Sequence, residues 1–307
     1  MKFAANILKN SMGLKKNESL VIIYDKNKKY IAQSFLDAGK NIAKETNFIS
    51  MPVAKANGEE PPKRIAEAIK QGDVALLITT KSLSHTIARR NASKSGCRIA
   101  SMPGITEGMA LRTLSADYSD IKKQCNNASK KITGKKVELI TKKGTLFTTY
   151  TNRLFQDTGI YKKKGDFGNL PAGEVGFAPK EGKSNGVIII DKSMAGIGLL
   201  KDPIKLIVKN GFVTEIQGKE EAKKLRALLK KFNNKKVYNI AEFAIGLNKK
   251  AKITGNVLED EKVYNTVHIA IGDNTSYPGG KTPAPTHLDG VISKPKIYID
   301  KKLIKIN

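Results

Sequence analysis

Three histidines occur in the 307-residue chain, His85, His268 and His287, and two of them stand where metal chemistry is possible. His287-Leu288-Asp289 is a His-x-Asp triplet. On an extended strand, positions i and i+2 point to the same side. Imidazole and carboxylate then converge, a nitrogen and oxygen pair suited to a divalent cation. Around His268 the residues alternate. Val267, Ile269 and Ile271 face one way, and His268, Ala270 and Gly272 the other. Small residues beside the imidazole leave space where an apolar core would want bulk. The run Glu242-Phe243-Ala244-Ile245-Gly246-Leu247-Asn248 repeats the pattern of His268-Ile269-Ala270-Ile271-Gly272-Asp273-Asn274 position by position. A buried carboxylate with no partner costs several kcal/mol, so Glu242 is expected to be paired, protonated or bound to metal. The same segments also fit a hydrogen-bonded core histidine and a carboxylate on a solvated strand face. Glu174, in Asn169-Leu170-Pro171-Ala172-Gly173-Glu174-Val175, is by itself only a turn glutamate running into a strand.

The elements that must position these residues follow from periodicity. Over the first 135 residues, short apolar runs alternate with helical patterns. Strands are expected at 20–24, 48–51, 74–79 and 98–102, and helices at 30–44, 62–70, 86–95 and 121–132. Gly96 closes the third helix and Pro61-Pro62 opens the second. Strands alternating with helices imply a parallel sheet covered on both faces. After Gly134 the segments become short, β-rich and punctuated by glycine, with one strong helix at 220–232. The fold class expected is α/β: an N-terminal parallel α/β domain, 1–135, followed by a β-rich mixed α+β metal-binding domain, 136–307.

Composition narrows the function classes. The chain carries 55 Lys and Arg against 28 Asp and Glu, a net charge of +27. Only seven of the 55 are arginine, the residue that grips phosphates and bases bidentately. Tryptophan is absent and aromatics are 6%, so stacking platforms for bases are poor. A lysine-rich solvated surface is expected, without specific nucleic-acid binding. Two cysteines exclude a disulfide scaffold and suit a reducing compartment. Met1–Asn6 lacks the apolar core of a secretory signal, and no stretch approaches the length of a membrane span. The expectation is a cytoplasmic protein with no membrane partner. Gly279-Gly280-Lys281-Thr282 ends like a phosphate loop, but Thr275 stands where its first glycine belongs and prolines follow.

Taken in order, the blocks Asn-Leu-Pro-x-Gly-Glu-Val at Glu174, Ala-Glu-Phe-Ala-Ile-Gly at Glu242, Val-His-Ile-Ala-Ile-Gly at His268 and His-Leu-Asp-Gly at His287 and Asp289 resemble the aminopeptidase T, or leucyl aminopeptidase-like, metalloprotease family. Ser82–Thr86 and Ser101–Ile105 resemble its short-chain branch. The resemblance implies two divalent ions, zinc, cobalt or manganese, with Glu174, Glu242, His268, His287 and Asp289 as ligands. Metal-bound hydroxide would hydrolyse an N-terminal peptide bond. It also implies a homodimer acting on a peptide or other small substrate. Members of that family place a catalytic tyrosine where this chain has Thr275, so Tyr277 is the candidate replacement.

A second reading rests on the same scaffold. A ring-cleaving dihydroxypyridine dioxygenase resembles this family but binds one Fe(II), and its ligands would map to His268, His287 and Asp289. His85 would then serve as an acid or base. Retention of Glu174 and Glu242 favours the dinuclear hydrolase, which is the sequence-based expectation. A third reading, of another class, is a non-enzymatic polyanion-binding protein, whose binding would fall steeply with salt.

Overall fold

A computed structural model describes residues 2–132 and 136–305. The domain boundary expected at residue 135 falls in 133–135, outside the described residues. The chain divides into two compact units: one runs up to Lys122 and includes Asp157–Ala172, and the other holds Lys123–Gln156 and the chain from Gly173 on.

The first unit is built on a five-stranded sheet in the order Glu45–Met51, Ser19–Asp25, Val74–Ile78, Arg98–Ser101, Phe167–Asn169. Every pairing in it is parallel. The strand Val74–Ile78 is buried along its whole length. That burial is why these strands read as unbroken apolar runs rather than alternating ones. Val21, Ile23, Leu77 and Ile99 from the sheet pack with Ile65 and Ile69 from the helix Lys63–Gln71. Thr86 caps the helix Ile87–Lys94 by accepting from the Arg89 N–H.

Two expectations here need correction. The helix expected over 30–44 spans only Lys29–Gly39. Beyond it the Ile42 and Ala43 N–H groups donate to the Gly39 carbonyl, and the chain turns into the strand Glu45–Met51. A helix at Glu107–Thr113 went unread, although Thr106 caps it through the Met109 N–H.

The second unit contains two seven-stranded sheets. One runs through Asn185–Ile190, Leu146–Tyr150 and Lys136–Ile140. The other matters most for function. Its central strands lie in the order His287–Ser293, Thr266–Gly272, Ile240–Gly246, Glu174–Phe177, all antiparallel. The fold class expected from the sequence is the one observed: a parallel α/β portion and further antiparallel sheets. Among the described residues no helix is long and apolar enough to cross a membrane.

Candidate metal centre

Register decides which side chains meet. Ala244 lies opposite His268, Glu242 opposite Ala270, and Gly246 opposite Glu174. Ala270 in turn lies opposite Asp289, and Gly272 opposite His287. Residues directly opposite in an antiparallel pair share a face. Glu174, Glu242, His268, His287 and Asp289 therefore all project from one face of four adjacent strands. The other face is apolar, with Phe177 and Phe243 stacked at 5.3 Å between centroids. A bulge between Ile240 and Glu242 leaves Ala241 as the extra residue on its strand.

The repeated small residues have two different causes. Ala244 lies opposite His268, and Ala270 lies between Glu242 and Asp289 on the same face. The two glycines instead admit passing backbone. A Cβ at Gly246 would strike the Val263 carbonyl, and one at Gly272, where φ is +114°, would strike Thr286. Gly272 thus brings the chain on to His287 close against the sheet and does not open a pocket.

The distances define a chain of contacts. His268 Nε2 lies 3.2 Å from Glu174 Oε2 and 3.4 Å from Glu242 Oε1. His287 Nε2 lies 3.0 Å from Glu242 Oε2 and 3.3 Å from Asp289 Oδ1. The His287 Nδ1–H donates to the Asp273 carbonyl at 2.7 Å, which turns Nε2 toward the carboxylates. Tyr277, half-buried, places its hydroxyl 3.4 Å from His287 Nε2 and rests its ring against Phe155 at 4.7 Å. Thr275 is exposed, and its hydroxyl donates to Asp273.

Two buried residues of the centre escaped the sequence reading. Lys262, 1% exposed, sets its Nζ 2.6 Å from Glu174 Oε1 and 2.8 Å from Glu261 Oε1. The segment Glu259-Asp260-Glu261-Lys262 reads as a solvated charge run, yet all four residues are buried. Glu259 and Asp260 accept backbone N–H groups of Lys252, Thr254 and Gly255. Lys262 and Glu261 turn to the metal centre. No spacing in the sequence marks them out.

Burial and charge act against each other here. Burial alone would lower both imidazoles, but the carboxylates beside them outweigh it and hold His268 and His287 well above the ordinary histidine value. Burial would raise Glu242, yet hydrogen bonds from both histidines keep it well below the carboxylate range. Glu261 is pushed up to about 8 by burial, with Lys262 opposing and Asp289 and Glu174 adding to the rise. Tyr277 is raised well above its ordinary value by burial and by Glu242, Asp289 and Glu174.

The donor set fits a cation. Glu174 Oε2 and Asp289 Oδ1 are buried and meet only the imidazoles of His268 and His287, at 3.2 and 3.3 Å, and His268 Nδ1 is buried without a hydrogen-bond partner among the described residues. Carboxylate oxygens gathered on buried imidazoles in this way are donors a cation would satisfy. Three groupings bring donor atoms within 4.8 Å of one another: Glu174, Glu242 and His268; Glu242, His287 and Asp289; and Glu261, His268 and Asp289. His85 belongs to none of them. It lies in the first unit, exposed, in the turn before the helix Ile87–Lys94. Cys97 and Cys125 are buried and form no disulfide, and burial pushes the Cys97 thiol up to about 12.

Comparison with known proteins overturns the aminopeptidase assignment. A family model for 2,5-dihydroxypyridine 5,6-dioxygenase, NicX, matches residues 5–306. The 2,5-dihydroxypyridine 5,6-dioxygenase of Pseudomonas putida KT2440 is 28% identical over 158 residues, which are 48% of this chain and 45% of that protein. The matched stretch thus spans less than half of that relative. Among solved structures, 2,5-dihydroxypyridine dioxygenase from Pseudomonas putida KT2440 superposes with a TM-score of 0.85 at 22% identity, covering 99% of this chain and 94% of that one. Wild-type AmpT from Thermus thermophilus follows with a TM-score of 0.72 at 16% identity, covering 99% and 98%. At these identities the two likenesses establish the fold, which both proteins share.

The shared fold explains the error. Carboxylates at 174 and 242 resemble an aminopeptidase ligand set when read as a string, and only the structure shows a lysine seated on one of them. The match to the dioxygenase family makes hydrolase, aminopeptidase and metalloprotease the wrong classes and points away from the non-enzymatic polyanion reading. The family model spans nearly the whole sequence, and the chain belongs to the 2,5-dihydroxypyridine 5,6-dioxygenase family.

Proposed function

We propose that this protein is a ring-cleaving dioxygenase that opens a dihydroxylated pyridine ring, using one ferrous ion held by His268, His287 and Asp289. The observation that carries the reading is the gathering of two imidazoles and a carboxylate on one sheet face, with both Nε2 atoms within 3.4 Å of Glu242 and Asp289 Oδ1 3.3 Å from His287 Nε2, in a chain of the dioxygenase family. Two nitrogens and one oxygen with open positions form a set that suits Fe(II). When bound, the iron supplies activation of dioxygen and of the ring oxygens, chemistry that amino-acid side chains lack.

The protein's own part is orientation and proton control. The Asp273 carbonyl fixes His287 so that Nε2 faces the site. Glu242 lies against both imidazoles, 3.4 Å from His268 Nε2 and 3.0 Å from His287 Nε2, and orients them. The Tyr277 hydroxyl, beside His287 Nε2, stands where it can hold a proton close to a substrate oxygen. Its pKa, raised well above the ordinary tyrosine value by burial and the nearby carboxylates, keeps the hydroxyl a donor at neutral pH. His85 is retained as a proposed acid or base, on the sequence reading alone. A homodimer and a cytoplasmic location are likewise proposed, the second supported by two cysteines that form no disulfide.

The test is reconstitution of anaerobically purified protein with Fe(II), followed by addition of 2,5-dihydroxypyridine and air. Loss of the pyridine absorbance that requires both iron and oxygen is expected. A loaded protein that leaves the ring intact would contradict the proposal.

A further inference from the structure

The blocks 82–86, 101–105 and 169–175 are separate motifs in the sequence, and the first unit joins the first residues of two of them to the centre of the third. Ser84, 2% exposed, is hydrogen-bonded through its hydroxyl to the Ser101 hydroxyl at 2.9 Å and to Asn169 Oδ1 at 3.1 Å. One hydroxyl, with a proton and two lone pairs, can serve both. Ser101 and Asn169 are the last residues of the strands Arg98–Ser101 and Phe167–Asn169 and stand opposite each other in the parallel ladder. Ser84 is thus pinned to the carboxyl ends of two sheet strands. The next residue is His85, exposed on its turn.

The rest of the turn is held from both ends. Before His85, the Ser82 N–H donates to Asn57 Oδ1 at 2.9 Å, and the Ser82 carbonyl accepts from the Gly58 N–H at 2.8 Å. After it, the Thr86 hydroxyl donates to the Leu83 carbonyl at 2.8 Å, and Glu60 accepts from the Ile87 and Ala88 N–H groups. Arg89 lies with its guanidinium 3.9 Å over the Phe167 ring and donates its Nε–H to the Ser84 carbonyl at 2.6 Å. Surface connections are ordinarily the mobile parts of a fold. A turn bonded this densely around one exposed imidazole holds that imidazole in one direction.

We propose that Ser84, locked between Ser101 and Asn169, positions His85 for proton transfer. The inference rests on the proposed dioxygenase reading, in which His85 is the acid or base. A proton passes efficiently only between groups within hydrogen-bond reach, and a misplacement of about 1 Å costs about 100-fold in rate. The side chain of His85 faces solvent, so its own packing does little to fix it. Its direction comes from the backbone on either side, and Ser84 is where that backbone is tied to the sheet. Ser84 acts through His85 and is a positioning residue.

The test compares turnover of 2,5-dihydroxypyridine by iron-loaded wild type, Ser84→Ala, His85→Gln and the double variant, with circular dichroism to establish folding. Ser84→Ala is expected to lower kcat by about 10- to 100-fold in the wild-type background. In the His85→Gln background it is expected to cost less than about twofold, because no imidazole is left to position. Equal losses in the two backgrounds would overturn the proposal, as would wild-type turnover in folded Ser84→Ala. A second readout does not depend on turnover. With three histidines in the chain, the His85 ring signals are identified by their loss in His85→Gln, and their 13C relaxation in zinc-loaded protein reports the mobility of the ring. An ordered ring in wild type that loosens in Ser84→Ala is expected. A ring already mobile in wild type, or unchanged in the variant, would overturn the proposal. Should Ser84→Ala fail to fold, Asn169→Ala removes the same bond and is read the same way. A wild type that binds iron and leaves the substrate intact would contradict the dioxygenase reading, and the relaxation measurement would then decide the positioning by itself.

Discussion

The Nδ1–H of His287 donates to the Asp273 carbonyl at 2.7 Å, so the ring presents Nε2 to Glu242 and Asp289. The bond ties a ligand on one strand to the loop that leaves the neighbouring strand at Gly272. Second partners of this kind set both tautomer and ring direction. The loop is held in turn by Glu181, which accepts from Asn274 Nδ2 and the Thr282 hydroxyl. Replacing Glu181 by Ala is expected to weaken iron binding by about tenfold while the protein stays folded. Competition with a chromophoric chelator measures it, and unchanged affinity would show that the loop is held by other means.

Glu242, which lies against both histidines, is more sensitive. Glu242→Gln keeps the shape of the side chain but removes the charge shared by both histidines. Iron content is expected to fall to the background of chelated protein, with activity lost alongside. Retention of a full complement of iron in this variant would show that Glu242 is not needed to hold the ion.

Tyr277→Phe preserves the ring contact with Phe155 and removes only the hydroxyl near His287. Turnover is expected to drop by about 100-fold, the usual scale for a positioned proton donor. Iron content should not change. Wild-type turnover in the Phe variant would leave Tyr277 a packing residue. His85→Gln, by the same logic, is expected to slow turnover without altering iron content.

Gly272→Ala meets a different obstacle. The position has φ +114°, and its added methyl would be driven into the Thr286 carbonyl. A loss of about 2–4 kcal/mol is expected from strain and displaced backbone together. Chemical denaturation reads it directly, and a change below about 0.5 kcal/mol would mean that the loop yields freely.

Asp191 gives a pH signature far from the ligands. Its carboxylate accepts from the Ser293 N–H and hydroxyl, at the end of the His287 strand, and pairs with Lys143. Burial opposes the charge, but these bonds win and hold Asp191 below the ordinary carboxylate value. A depressed folded-state value stabilises the protein above the unfolded value of about 4 and loses that contribution as pH falls through the folded one. Wild type should therefore exceed Asp191→Asn in stability at pH 6 by about 1–2 kcal/mol. The gap should narrow below about pH 4. Lys143 is 57% exposed and adds little. A gap independent of pH would place the effect in packing instead.

Much of the metal centre is legible in the sequence, because strands expose it through alternation. His268, Ala270 and Gly272 share a parity, as do Glu242 and Ala244, and the register of the sheet preserves that parity across all four strands. Strand and helix types in the parallel unit are legible for the same reason, since buried strands must be apolar throughout. Lys262 is not legible. Its burial depends on a turn and a carboxylate brought from residue 174, and a lysine after three acids carries no period. The misreading of chemistry has another origin. Five ligand types in order fit an aminopeptidase and a dioxygenase alike, because the two share a fold, and the family model decides between them. The shortened first helix has a similar origin, since tertiary packing at Gly39 overrides a continuing helical pattern.

The most direct test of the central claim is the fate of isotopic oxygen. Iron-loaded protein would be supplied with 2,5-dihydroxypyridine under 18O2, and the ring-opened product weighed by mass spectrometry. The account predicts a product carrying both labelled atoms, formed only with iron present. Product carrying label from water alone, or none from dioxygen, would contradict it.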